Sequence, residues 1–310
     1  MKDLKVIITL ILVMFLWGIN VSALKYLVTY FDPITMTSMR IMSAVILVFI
    51  ILFFLKQIRL PRNREWLYII GGAATNVVLH HYFLAEGLSR TSAANGGLIL
   101  GLGPLLTATL AVFILKEKIT GVRAMGFIFG GIGVSIVVLG GSGTLGKISF
   151  GDVEIFLSIL SQAISFMLIK KASRTMDARL LTGYMMLVGS VVLVIVSFIK
   201  EPGGFAELSK GTPTVWGVFI FSALIATAVG HMAYNSAIQT IGAARASIFL
   251  NFNTFFALIG ASLFLGESIY PAHFIGLIFI VAGVIFGSGT LEMFMRNRGK
   301  QIPPIKEEIE

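Results

Sequence analysis

The sequence predicts an all-α integral membrane protein whose ten transmembrane helices form two inverted halves of five. Three observations predict it. The composition is one that only lipid can solvate. The chain holds ten apolar runs of about membrane-spanning length. It also matches itself across an odd number of those runs.

Of the 310 residues, 56% are hydrophobic and 13% charged, with a mean hydropathy of +0.93. A soluble chain of this length carries roughly a quarter of its residues as charges. Here much of the surface must face an apolar solvent. The 33 glycines fall largely inside apolar runs, where close helix packing uses them. With no cysteine in the chain, disulfide and thiolate chemistry are excluded. The net charge of +9 does not indicate nucleic acid, because the basic residues punctuate apolar segments and read as topology.

A helix crosses the hydrocarbon core in about 20 apolar residues. Ten segments qualify: 6–28, 34–55, 66–87, 93–115, 121–140, 152–170, 180–199, 214–238, 243–265 and 271–291. Each run is continuous, so helices that satisfy their own backbone are expected, not the short alternating strands of a barrel. The first run follows Lys2 and Lys5, as in a signal peptide. It is long, however, and leads to Lys25 without a clear small-residue cleavage site, which makes it an uncleaved first membrane helix.

With the N-terminus in the cytoplasm, eighteen of the 24 lysines and arginines fall on the inner side. Arg90, Lys147, Lys200 and Lys210 fall outside, and Lys25 and Arg40 lie on the segments themselves. This imbalance predicts a multi-pass protein of the prokaryotic plasma membrane with both termini cytoplasmic. The polar stretch 292–310, with Pro303-Pro304, reads as a disordered cytoplasmic tail.

A shift of 150 residues aligns the chain with itself without a gap. Trp66 meets Trp216, His81 meets His231, Glu117 meets Glu267, Gly126 meets Gly276 and Gly133 meets Gly283. Apolar bias matches Leu with Ile or Ala, but it does not align Trp, His, Glu and two Gly in one register. Each half, 6–140 and 152–291, holds five helices, and an odd number places the second copy upside down. Inverted repeats are a transporter signature, with a site near the midplane between two halves that rock.

Certain motifs recur in both halves. The first has Phe83-Leu84-Ala85-Glu86-Gly87-Leu88, Ser92-Ala93-Ala94, Pro104 and Leu115-Lys116-Glu117-Lys118-Ile119. The second has Tyr234-Asn235-Ser236-Ala237-Ile238, Gly242-Ala243-Ala244 and Leu265-Gly266-Glu267-Ser268. Leu16-Trp17-Gly18 opens the chain and Arg40 sits on the second segment. With these motifs the chain resembles an EamA-type member of the drug/metabolite transporter superfamily over about residues 6–291. The resemblance implies two EamA-like repeats, efflux of amino acids or other small metabolites, and a central cavity lined mainly by helices 1, 3, 4, 6, 8 and 9. It leaves the substrate open. Thr254 stands where the first half has Pro104, so helix nine lacks the residue expected to bend helix four.

The fifteen carboxylates all lie in connections, tails or segment ends, whereas a proton or sodium relay usually keeps one near the midplane. Glu86 comes nearest and is either a coupling group or a solvated helix end. His80 and His81 lie in the third segment and His231 in the eighth. They are candidates for the cavity, with His81 and His231 as possible coupling groups, or else buried histidines bonded to a neighbouring helix. Adjacent histidines point about 100° apart on a helix, so no metal site is expected. Asn20, Ser22, Asn76, Asn95, Gln162, Tyr184, Asn235, Asn251 and Asn253 interrupt apolar runs and either line the cavity or bridge helices. Trp17, Tyr82 and Tyr234 either stack on a substrate or pack.

Trp66 and Trp216 read as interface anchors. Gly97/Gly101, Gly126/Gly130 and Gly283/Gly287 have the small-xxx-small spacing of close helix contacts. The glycines around Gly103-Pro104 are placed to loosen helix four. Glu117 and Glu267 are expected to cap or tie loops. Lys25, Arg40 and Arg245 lie near helix ends, from which they can snorkel, Arg40 being the one best placed to matter.

The expected partners are a small-molecule metabolite and the bilayer, with no nucleic acid and no cofactor. Monomer and homodimer are both compatible with the sequence. An exporter is the leading reading and an importer the alternative within transport. An enzyme would want a nucleophile with its base, or clustered acidic ligands, at an interface, and the short connections offer neither. A non-transporting receptor has no need of an inverted repeat.

Overall fold

The computed structural model describes residues 2–115, 120–140 and 149–287, and all their regular structure is helical. Glu117 with its neighbours Lys116 and Lys118, Lys147, the last residues of the tenth segment and the tail 292–310 lie outside the described residues. The elements are α1 (Lys2–Leu27), α2 (Pro33–Phe54), α3 (Asn63–Gly72), α4 (His80–Arg90), α5 (Ala93–Leu100), α6 (Gly103–Leu115), α7 (Gly121–Gly140), α8 (Phe150–Ala172) and α9 (Ala178–Lys200). There are then the short α10 (Gly204–Glu207), α11 (Pro213–Ile220), α12 (Gly230–Ile241), α13 (Ala243–Ile248), α14 (Leu250–Leu265) and α15 (Pro271–Gly287). Among the described residues, seven helices are long and apolar enough to cross a bilayer, and Ala124–Gly140 and Pro271–Gly287 are shorter apolar ones.

Several of the expected continuous helices are modified. Between α3 and α4 the chain winds as a π-helix over Ala73–Leu79, and between α11 and α12 it does so over Phe221–Val229. The two stretches occupy equivalent places in the 150-residue register, each leading into the histidines. π-Helical turns concentrate at functional sites, where the extra residue they insert re-aims the side chains of the next turn. The fourth helix is broken at Gly101 and Leu102, between α5 and α6, where its glycines predict loosening. The ninth breaks as well, at Phe249 between α13 and α14, although Thr254 replaces the proline. A Cβ on Gly101 would press on Thr254 Oγ1, so the close approach of the two broken helices sets the bends here.

Helix starts are capped from nearby and from afar. Ser92 and Asp177 accept the Asn95 and Arg179 N–H groups at 3.0 and 2.9 Å. The Glu201 carboxylate accepts the N–H groups of Ile34 (2.9 Å) and Thr35 (2.6 Å) at the start of α2. Glu267 accepts those of Ala93 (2.8 Å) and Ala94 (2.9 Å) at the start of α5. These six backbone donors, left orphaned by helix geometry, are thereby paired.

The interior is two apolar clusters stacked along the bundle. One contains Leu10 and Met14 of α1, Ile69 of α3, Phe166 of α8 and Tyr234 of α12. The other contains Val21 and Leu24 of α1, Leu84 of α4, Ile159 of α8 and Leu258 of α14. Between them on the same helices lie Trp17, Asn20, His80, His81, Gln162, His231 and Asn253, so each helix crosses a polar layer as it passes from one cluster to the other. Outward, Phe53, Phe54, Ile199, Leu263 and Ile278 are among the many large apolar side chains left exposed, as a lipid-facing surface requires.

α7 and α15 pack through glycine. A Cβ on Gly126 would overlap the Gly287 backbone, one on Gly283 the Gly130 backbone, and one on Gly133 that of Ile280. The partner number falls as the α7 number rises, so this pair runs antiparallel. Trp66 is 39% exposed, as an interface anchor is expected to be. Trp216 is half-buried against Phe31 and Phe219, with ring centroids 5.7 and 5.2 Å away.

Candidate functional site

The polar layer encloses a cavity lined by Trp17, Asn20, Val21 and Leu24 of α1, His80, His81 and Leu84 of α4, Leu100 of α5, Ile159 and Gln162 of α8, Thr227, His231, Leu250 and Asn253. Its open space is about 50 Å³. A water needs at least about 10–15 Å³, so a few waters fit and a metabolite does not. In this state the site has no room for a metabolite.

Hydrogen bonds fix the state of each imidazole. Ser158 Oγ donates to the His80 carbonyl at 2.9 Å and therefore accepts from His80 Nδ1 at 2.8 Å. His80 Nε2 accepts from the Gln162 amide at 3.0 Å. His231 Nδ1 donates to the Thr227 carbonyl at 3.0 Å, which leaves a lone pair on Nε2. His81 Nδ1 lies 3.2 Å from Arg40 Nη2. A guanidinium only donates, so His81 accepts there and carries its proton on Nε2. The Nε2 atoms of His81 and His231 have no hydrogen-bond partner among the described residues. The two rings lie 5.4 Å apart.

Arg40 corrects an expectation. The sequence puts it near a helix end, within snorkelling reach of water, yet it is 1% exposed. It sits about two turns inside α2, roughly 10 Å from the first residue at 1.5 Å per residue. Its guanidinium donates to Thr227 Oγ1 and to His81. Lys25 donates to the Leu88 carbonyl at 2.7 Å, tying α1 to α4, and Arg245 is exposed.

The other candidates divide cleanly. Trp17 lines the cavity, donates to the Ala226 carbonyl at 2.8 Å, and packs its ring on His231 (4.8 Å) and Tyr234 (5.0 Å). Tyr234 is fully buried against Trp17 and Phe166 and does not line the cavity. Asn76, Asn95 and Asn235 stand away from the cavity. Asn76 bonds Ser165 at 2.7 Å, Asn235 bonds Thr182 at 2.8 Å and Asn95 meets His273 at 3.0 Å, each bridging two helices. Tyr82 turns its ring to Phe83, half-buried. Thr227 and Asn253 complete the polar lining; Asn253 is among the polar residues that interrupt the apolar runs, whereas Thr227 did not stand out. The signal for Thr227 is its place one turn before His231.

One turn beyond Leu24 and Leu84 lies a wide vestibule of about 730 Å³, lined by Val28, Tyr30, Asp32, Glu86, Arg90 and Glu207 among others. Glu86 belongs to this vestibule and not to the cavity. It pairs with Arg90 at 2.5 Å, and Arg90 also pairs with Glu154.

The sequence pattern of the EamA-like transporter family matches this chain twice, at residues 4–139 and 149–288. YyaM of Bacillus subtilis (strain 168), described as an uncharacterized transporter, is 32% identical over 97% of this chain and 99% of its own. An uncharacterized transporter of Synechocystis is 28% identical over 89% of this chain and 88% of its own. A WAT1-related chloroplastic protein of Arabidopsis thaliana is 26% identical over 84% of this chain and 64% of its own. A crystal structure at 16% identity superposes with a TM-score of 0.62 over 91% of this chain and 96% of that one, which shows a common fold.

Proposed function

This chain belongs to the EamA-like transporter family, and from that premise we propose that it exports a small polar metabolite, such as an amino acid, by alternating access. It is a multi-pass membrane transporter and not an enzyme. In this reading ten helices span the plasma membrane as a five-plus-five inverted repeat. Residues 6–140 and 152–291 form the two halves, and residues 292–310 a cytoplasmic tail. The antiparallel packing of α7 on α15, equivalent helices of the two halves, supports inversion. Both termini face the cytoplasm, as the charge asymmetry requires.

The observation that carries the proposal is the cavity, a polar layer between two apolar clusters, built from both halves and too narrow for a metabolite in this state. A site that must face water on each side in turn needs polar walls, and seals above and below that separate. Trp17, Asn20, His80, His81, Gln162 and His231 form the walls. Tyr234 backs Trp17. Asn76, Asn95 and Asn235 hold the helices that carry them. Transport runs down the substrate's own gradient. His81 and His231, with Glu86 in the vestibule, are the groups through which a proton would act if one were coupled.

The test is metabolite-resolved export from cells overexpressing the protein, against an empty-vector control and a His81→Leu variant. The expected outcome is one or a few small metabolites that accumulate outside with the native chain alone. Inward accumulation of the same compounds would reverse the direction, and no difference from the control would refute the reading.

A further inference from the structure

We propose that the transported compound carries a carboxylate, received by His81 Nε2–H beside the uncompensated charge of Arg40. The inference rests on the transport reading and narrows its substrate class to small carboxylic acids in their ionised form, amino acids among them.

Arginine stays protonated in proteins, and a buried charge is tolerated only when paired. Arg40 is buried and has no ion pair with a carboxylate among the described residues. The buried and half-buried acids at the helix ends are committed elsewhere: Glu201 and Glu267 cap helices, Glu86 and Glu154 hold Arg90, and Asp152 accepts from Thr91. The protein therefore leaves one positive charge in its apolar interior without a counter-ion. Two of the guanidinium's donors go to neutral partners, Thr227 and His81, while Arg40 Nε has none.

The charge is handed on. Because His81 Nδ1 accepts from Arg40, His81 must donate through Nε2, a buried atom of a cavity-lining residue with no partner. A donor polarised by an adjacent cation favours an anionic acceptor over a neutral one. Other cavity-lining residues offer the reverse chemistry: the His231 Nε2 lone pair, Asn20 Oδ1 and Asn253 Oδ1 are all buried and unpartnered. They can accept from an ammonium or hydroxyl on the same compound. Arg40 is thus a positioning residue that acts through His81, and His81 is the contact.

The test is thermal unfolding of the full chain in nanodiscs with matched pairs of probes: L-alanine against L-alaninamide, L-leucine against L-leucinamide, and L-lactate against lactamide. Each amide keeps the size of its partner and loses the carboxylate. At least one carboxylate should raise Tm while its amide does not. Arg40→Gln should abolish that discrimination, and Arg40→Lys, which keeps the charge, should restore part of it. Loss of a charge-assisted hydrogen bond weakens binding by roughly tenfold or more. The proposal is overturned if amide and carboxylate stabilise equally, if no probe shifts Tm, or if Arg40→Gln still discriminates. Should Arg40→Gln fail to fold, the matched pairs on the native chain decide alone. In the export assay, an exported compound without a carboxylate overturns this inference and leaves the transport reading standing. Carboxylate binding without export does the reverse.

Discussion

Asp177 stands immediately before α9, and its carboxylate accepts both the backbone N–H of Arg179 and, at 3.0 Å, the Arg179 guanidinium. Hydrogen bonding to Arg179 holds its pKa below the ordinary 3.8. A depressed carboxylate stabilises the fold above its unfolded pKa and loses that contribution as the pH falls through the folded value. Asp177→Ala should therefore cost about 1 kcal/mol near neutral pH, the usual worth of a cap. The gap in Tm between the native chain and the variant should close as the pH drops below 3.8. A gap that stays constant into acid would mean the charge contributes nothing. At this scale Glu267 was legible as a capping or loop group, whereas Asp177 stood only among the carboxylates of the connections. Arg40 was not, because its meaning depends on α4 and the π-helical stretch before α12, which supply His81 and Thr227 from 41 and 187 residues away.

Among the elements, α7 and α15 depend on glycine more than any other pair. Gly126 faces the backbone of Gly287 so closely that any side chain must displace it, and in lipid such van der Waals contact supplies much of the association. Gly126→Leu should lower the yield of folded protein in detergent, measured by monodisperse elution, without altering which probes shift the Tm of the fraction that folds. Normal yield with changed probe preference would bring Gly126 into the site. The spacing of these glycines announced a contact, but the identity of the partner helix came only from the structure. The π-helical stretches Ala73–Leu79 and Phe221–Val229 gave no such signal. Each reads as ordinary apolar helix, and its winding is decided by packing, with Ala73 and Val77 buried in one cluster and Ala223 in the other.

For the molecule as a whole, orientation and coupling depend on where charge is and is not. Reporter fusions after Arg64 and Arg179 should report the cytoplasm, and a fusion after Arg90 the opposite side. An outside signal after Arg179 would break the five-plus-five scheme. No carboxylate lines the cavity among the described residues, so the protein reconstituted in liposomes should move its substrate without an imposed pH gradient, at a rate set by the substrate gradient. If transport needs the pH gradient, replacing His80, His81 and His231 together with Glu86 by glutamine should remove that need. Persistence of the requirement would overturn the assignment of these four groups as the coupling-competent ones.

The sequence by itself determined what depends on composition and period: helices, their approximate ends, the membrane as solvent, and a register of 150 residues linking two halves. Those properties are local or additive, so they survive without knowing which helix touches which. Only the tertiary structure decided which polar residues share the cavity. Several of the candidate polar and aromatic groups line it, while Asn76, Asn95 and Asn235 spend their hydrogen bonds on neighbouring helices. The reason is angular. A helix turns about 100° per residue, so whether a side chain meets a cavity or another helix depends on rotation and on breaks such as those at Gly101 and Phe249. Rotation is set by packing between helices far apart in the chain.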